Sequence, residues 1–357
     1  MKTYIFYFLV NACCFFSAVA QQNENRADTL RFLLEIPLLD LPYQSIATQT
    51  RGNFLKSYAN TSMAQSLALS NGFYCASHYG IKKAFMPIKS TFLRKLLTSS
   101  ALLAADFAST SIPFGLAWLH EEYHRAVLTK HKANSFNDVY KFSFGSSVIA
   151  VSRLKDSDLA RISDYHKEDF RRLQTAGIEA QYHQIQTLQK YNFYYHQKIP
   201  HQILYWFSTI NSALYVSECA TTTIDKLIDE MNEKEGKDIS RRDFTGPDFT
   251  AWADALFFPE KPYSARGIHP SGVGINRYVK YADLSSDAKA YLKKQGNRQW
   301  LNLLSPMLIG FDKIRIRTKK GDHYANVALR HILTPFGEDI ALDVFYQSPE
   351  RFLKNLF

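Results

Sequence analysis

The sequence predicts an α+β protein, mainly α, in which a helical core precedes a C-terminal antiparallel β appendage. Three observations carry this. The strongly apolar stretch from Leu96 to Leu119 is interrupted by Ser109-Thr110-Ser111 and Pro113, the pattern of one helix ending and the next beginning. Ile178, Tyr182, Ile185 and Leu188 recur at helical spacing in the middle of the chain. From Lys313 onward strand-like segments take over, separated by turns at Gly321-Asp322 and Pro335-Phe336-Gly337.

In chain order, residues 1–20 read as a secretory leader. Lys2 precedes an apolar run from Tyr4 to Phe16, and Ser17-Ala18-Val19-Ala20 offers a small-x-small cleavage site before Gln21. The run is too short to span a bilayer. A lipoprotein reading at Cys13, after Val10-Asn11-Ala12, ranks lower. Residues 21–90 form an N-terminal arm, broken by Pro37 and Pro42, and then one short helix and a loop over 62–88. Residues 91–236 form the helical core. Helices are expected near 92–108 and 112–131, over 158–198 with a bend at Gly177, over 203–218, and on through Ile224, Leu227, Ile228 and Met231 to a stop near Gly236. Between them, Val139–Phe144 and Val148–Val151 suggest a β-hairpin around Gly145. Asp106, near the middle of the apolar run, argues against a simple membrane span. Two buried core helices are expected there, with a re-entrant or membrane-apposed pair as the alternative. Residues 237–300 are an irregular Pro/Gly-rich crossing with a short helix near 284–295. Residues 301–357 are β-rich, with strands at Lys313–Thr318, His323–Leu333 and Glu338–Tyr346.

The net charge is +10, but the basic residues are scattered pairs such as Arg94-Lys95, Arg171-Arg172 and Lys319-Lys320. No dense basic block with aromatic platforms exists, so no nucleic-acid partner is expected. A basic envelope protein suits an anionic membrane surface, and the 14% aromatic content suits interfaces with membrane or protein. Beyond the leader only Cys75 and Cys219 remain, so this is not a disulfide-built scaffold, and spacing does not decide whether the two pair.

The chemistry concentrates in His120-Glu121-Glu122-Tyr123-His124. On a helix, residues four apart share a face, so both imidazoles reach one Zn²⁺. Glu121 lies about a third of a turn away, where it meets a water polarised by the metal and acts as general base. A third protein ligand is needed. Glu179, 55 residues downstream of His124, is the best candidate; small Ala176 and Gly177 would let its helix approach the motif helix closely. His183, one turn after Glu179, is an alternative ligand or a hydrogen-bond partner behind the ligands. Asp106 is a candidate to orient His120 or His124. His269, in Arg266-Gly267-Ile268-His269-Pro270-Ser271-Gly272, is a candidate to stabilise an oxyanion. Glu122 and Arg125 depart from the uncharged neighbours usual on such helices.

His120–His124 with a downstream Glu179 resembles the zincin metallopeptidases of gluzincin type, which implies a zincin-like helical core. The residues after His124 lack the Gly and His of metzincin spacing. Leu119–Val127 is also faintly similar to site-2-type membrane peptidases, whose Asp-Gly ligand motif on a later helix is not found. Pro37-Leu38-Leu39-Asp40-Leu41-Pro42-Tyr43 and Arg242-Asp243-Phe244-Thr245-Gly246 resemble exported proteins of Bacteroidetes-type bacteria, which implies no activity.

The expectation is therefore an exported protein of the periplasm or outer membrane of a Gram-negative-type envelope, acting as a zinc-dependent hydrolase on a peptide or protein. Membrane association is open, as is the oligomeric state. The alternatives are an envelope protein with a structural metal site and an outer-membrane-associated structural protein.

Overall fold

The computed structural model describes residues 60–141, 150–195 and 198–349, with side chains from Gln202 onward in the last segment. The leader, the arm before residue 60 and most of the expected hairpin lie outside the described residues. The described chain is α+β and mainly α, with helices first and a three-stranded antiparallel sheet at the C-terminal end.

Helix α1, Met63–Phe85, is longer than the short helix expected there. Ser62 and Gln65 form a reciprocal capping box at its start, and Pro87 follows its end. Helix α2, Thr91–Ser109, is capped by Ser90. Gly115 then turns the chain tightly. A Cβ at this position would lie 1.8 Å from the Ser109 carbonyl oxygen, so only glycine fits before helix α3, Leu116–Lys130.

Strands β1, Phe136–Asn137, and β2, Val151–Ser152, form a minimal antiparallel pair, with a 3₁₀ turn at Asp138–Lys141. That turn occupies the start of the expected strand Val139–Phe144. Two helices follow, α4 at Asp156–Tyr165 and α5 at Lys167–Tyr195. The single helix expected over 158–198 is two, parted at His166, whose backbone leaves the helical region, and α5 runs on through Gly177. Helices α6, Lys198–Cys219, and α7, Thr223–Glu235, agree with the periodicity, and Gly236 ends α7 at φ 56°.

The Pro/Gly-rich crossing contains a helix that was not expected, α8 at Asp248–Phe257. Pro247 precedes it, Asp248 opens its first turn, and Phe249–Ala253 is fully buried. Helix α9, Ser286–Gln299, is capped by Ser285. Strands β3, Ile314–Thr318, β4, Gly321–Thr334, and β5, Gly337–Gln347, form a meander in the order β3-β4-β5; the second turn is the expected one at Pro335-Phe336, whereas the first falls at Lys319-Lys320, because Gly321 and Asp322 already pair with β3.

Helix α5 is the axis of the molecule. Its N-terminal half joins α3 and α4 in one apolar cluster around Leu119, Leu173 and Ala176. Its middle joins α6, α8 and α9 around Ile178 and Trp252. Its C-terminal half meets the sheet through Phe193, Ala328 and Phe345. The motif helix α3 is thus held in the interior. Its charged neighbours are accommodated there: Arg125 Nη1 donates to both oxygens of Glu122 at 2.6 and 2.8 Å, Arg125 Nη2 to Asn60, and Asn137 Nδ2 to Glu122. This buried pair ties α3 to the start of α1 and to β1, with hydrogen bonds for a charge that would otherwise be costly.

Candidate metal centre

His120 and His124 project from one face of α3, their ring centroids 4.8 Å apart. Asp248, the first residue of α8, reaches both. Its Oδ2 lies 3.2 Å from His120 Nε2 and 3.6 Å from His124 Nε2. One donor atom from each of the three lies within 4.8 Å of the others. Tetrahedral zinc with bonds of about 2.0–2.1 Å has ligand–ligand edges of roughly 3.3–3.4 Å. Two observed edges bracket that value and the third lies within 4.8 Å, so side-chain shifts of about an ångström would enclose one ion.

The surroundings fix each ligand. His124 Nδ1 is 2.5 Å from the carbonyl oxygen of Leu173 on α5. A carbonyl only accepts, so Nδ1 carries the proton and Nε2 is left to face Asp248. His120 lies against Gly177, where a Cβ would fall 2.2 Å from its Nε2. The small-residue approach read from the sequence therefore occurs, at the ring of a motif histidine. Tyr215 Oη donates to Asp248 Oδ2 at 2.9 Å and accepts the Asp248 backbone N–H at 3.1 Å, with its ring edge-on to His120.

The approach to Asp248 is pinned as well. Arg277, wholly buried, donates from Nη1 to the carbonyls of Arg242 and Asp243, from Nη2 to that of Leu154, and pairs with Asp156. Asp243 accepts the N–H groups of Val151, Thr245 and Gly246. Phe244 packs its ring on His124, centroids 4.7 Å apart. The segment without regular structure is thus rigidly fastened on the way to the third donor.

The site is electrostatically crowded. Burial pushes the Glu121 carboxyl well above the usual range, and Asp243, Asp248, Asp138 and Glu122 push it further. Burial and Asp248 raise Asp243 to about 6. Asp248 runs the other way: burial opposes ionisation, but the two histidines outweigh it and hold its pKa low. Burial lowers His120, against the bond to Asp248. His124 is raised, because Asp248, Leu173 and Asp243 together overcome its burial. Such an excess of buried carboxylates around two imidazoles favours a bound cation.

Of the residues singled out from the sequence, His120, Glu121 and His124 lie together. Glu179 does not join them. It pairs with Arg172, Oε1 to Nη2 at 2.8 Å and Oε2 to Nε at 3.3 Å. The reason is angular: Gly177 faces His120, and two residues on is about 200° round the helix. His183 Nδ1 shares a hydrogen bond with the Tyr123 hydroxyl at 3.1 Å, on another side of α3. Asp106 orients neither motif histidine, because it bonds His78 at 2.5 Å between α1 and α2. His269 Nδ1 is engaged by the amide and hydroxyl of Ser271 in its own loop. Its charged neighbours are Arg242, Arg277 and Asp156 rather than the site. His131 pairs with Asp169 at the end of α3. Cys75 and Cys219 are separate buried thiols.

Sequence reasoning missed Asp248, Asp243 and Tyr215. Gly246-Pro247-Asp248 followed by Phe249-Thr250-Ala251-Trp252 is a helix-start pattern that marks Asp248. No local signal marks Tyr215, whose role depends on the packing of α6 against α8. Searches against protein-family models, curated proteins and solved structures find no match to this chain.

Proposed function

We propose that the chain is a zinc-dependent hydrolase, acting on a peptide or protein, with the metal held by His120, His124 and Asp248. The observation that carries this reading is the convergence of the three donor atoms within 4.8 Å, beside a buried Glu121 that has no hydrogen bond to another described side chain. Asp248 takes the place expected of Glu179. Two imidazoles and one carboxylate are a donor set that suits zinc. No other His, Cys, Asp or Glu among the described residues completes the group, which favours an open fourth position over a closed structural site.

When bound, zinc supplies a Lewis acid that polarises the scissile carbonyl and makes water acidic near neutral pH. The remaining work falls to the protein. Glu121 follows His120 on α3, about 100° round, and its carboxyl takes the proton of the attacking water and returns it to the leaving amine. The Leu173 carbonyl fixes the ring of His124, and Tyr215 fixes the carboxylate of Asp248. A cation held by His120, His124 and Asp248 would offset the repulsion among Glu121, Asp243 and Asp248 and would favour the ionised, basic form of Glu121.

The test is peptide hydrolysis by purified full-length protein, with zinc measured alongside. Glu121→Gln is expected to keep zinc and lose activity by at least about 100-fold. A fully active Glu121→Gln protein would remove the catalytic reading, and one that loses its zinc would show Glu121 to be a ligand instead. Residues 1–20 support an exported, envelope location, read out as a mature N-terminus at Gln21.

A further inference from the structure

The edge of the molecule formed by α1 and α2 combines exposed apolar side chains with one sign of charge. Between residues 60 and 105 the sequence carries Lys82, Lys83, Lys89, Arg94 and Lys95 and no aspartate or glutamate. The next acid, Asp106, is buried against His78. On α2, Leu93, Leu96, Leu97, Ala104 and Phe107 are exposed. They recur at three- and four-residue spacing along one stripe, opposite buried Leu102, Asp106 and Ser109. Phe92 is 77% exposed and Met86 47%, at the end of the stripe that also carries exposed Lys83 and Lys89. Apolar side chains clustered in this way mark a contact surface.

We propose that this edge docks on an anionic lipid surface. Phe92, Leu93, Leu96 and Met86 enter the boundary between headgroups and acyl chains, and Lys83 and Lys89 meet headgroup phosphates. Charge selects this occupant: an aromatic and aliphatic stripe flanked by cations, with no carboxylate to repel phosphate, complements a negatively charged bilayer. The other exposed apolar face supplies the contrast. Ile340, Leu342, Val344 and Tyr346 of β5 are exposed too, along one side of the strand, but β5 carries three acids, Glu338, Asp339 and Asp343, and no lysine or arginine. No helix among the described residues is long and apolar enough to cross a membrane, so α2 lies in the plane of the interface. This inference does not depend on the metal centre.

The test is flotation of the full chain with phosphatidylglycerol/phosphatidylcholine vesicles against phosphatidylcholine alone. The apolar leader is common to every variant, so differences between variants report the edge. Wild type is expected to partition onto anionic vesicles and to be released by salt. Lys83→Gln with Lys89→Gln lowers the partition coefficient roughly 25-fold, about fivefold per charge. Phe92→Ser with Leu96→Ser lowers it by about tenfold or more, and Leu342→Ser with Val344→Ser on the sheet leaves it unchanged. Far-ultraviolet circular dichroism confirms that each variant is folded. Equal partition of wild type and both edge variants overturns the proposal. So does a wild type that ignores vesicles but forms a dimer, by light scattering, that the edge substitutions disperse.

Discussion

Replacing Gly177 by alanine separates the metal centre from the fold that carries it. Gly177 is helical, so its backbone needs no special conformation, and alanine should favour α5 by about 1 kcal/mol. The added Cβ meets His120, however, with Nε2 at 2.2 Å, Cε1 at 2.3 Å and Cδ2 at 2.5 Å. Ordinary contact begins near 3.4 Å, so the ring must retreat by roughly 1.2 Å, or the two helices must part. Overpacking of this kind costs about 1–3 kcal/mol, and the gain in helix propensity offsets part of it. Metal-free stability should therefore fall by only about 0–2 kcal/mol. Zinc binding has less room, because ligand positions tolerate only about 0.2 Å of error. Displacing one of three ligands by five or more times that distance should weaken zinc at least 100-fold. The assay is competition with a chelating dye, paired with thermal unfolding of the metal-free protein. A Gly177→Ala protein that binds zinc as tightly as wild type would refute the placement of His120 as a ligand.

Three further outcomes follow from the same geometry. Asp248→Asn should reduce zinc binding by about 100-fold or more, whereas Glu179→Gln should leave it unchanged, as read by metal content after dialysis. Arg125→Met strands Glu122 in the interior and should cost about 3–5 kcal/mol in denaturant unfolding. Stability should also depend on pH through Glu235, whose carboxyl burial raises to about 7 despite hydrogen bonds from Tyr278. The folded state holds this proton where the unfolded chain has released it, so the contribution is complete below the ordinary carboxylate range. It is lost as pH rises toward and through 7, and allowing for partial exposure it is about 1–2 kcal/mol. Glu235→Gln should flatten the slope between pH 5 and 8 in thermal unfolding scans.

Much of the fold was legible because local signals and tertiary packing agree. The break at Ser109–Pro113, the stop at Gly236 and the turn at Pro335-Phe336 each act on their own backbone. The two histidines and Glu121 were equally legible, since one helical turn sets their spacing. The third donor was not. Glu179 had the right chemistry and a helix that does approach the motif, but rotation about α5 turns it toward Arg172. Asp248 sits in a stretch whose prolines and glycines read as irregular, and its position depends on Arg277, 29 residues further on, and on Tyr215 from another helix. Contacts of that kind leave no periodic trace. Glu122 and Arg125, the charged neighbours unusual on such a helix, pair with each other as a buried clamp, which their local sequence does not announce.

The central claim is tested most directly by anomalous diffraction at the zinc edge from crystals of the zinc-loaded protein. The account predicts a single strong peak about 2.0–2.2 Å from His120 Nε2, His124 Nε2 and a carboxylate oxygen of Asp248. A peak beside Glu179 and His183, or a motif helix with no peak at all, would contradict it.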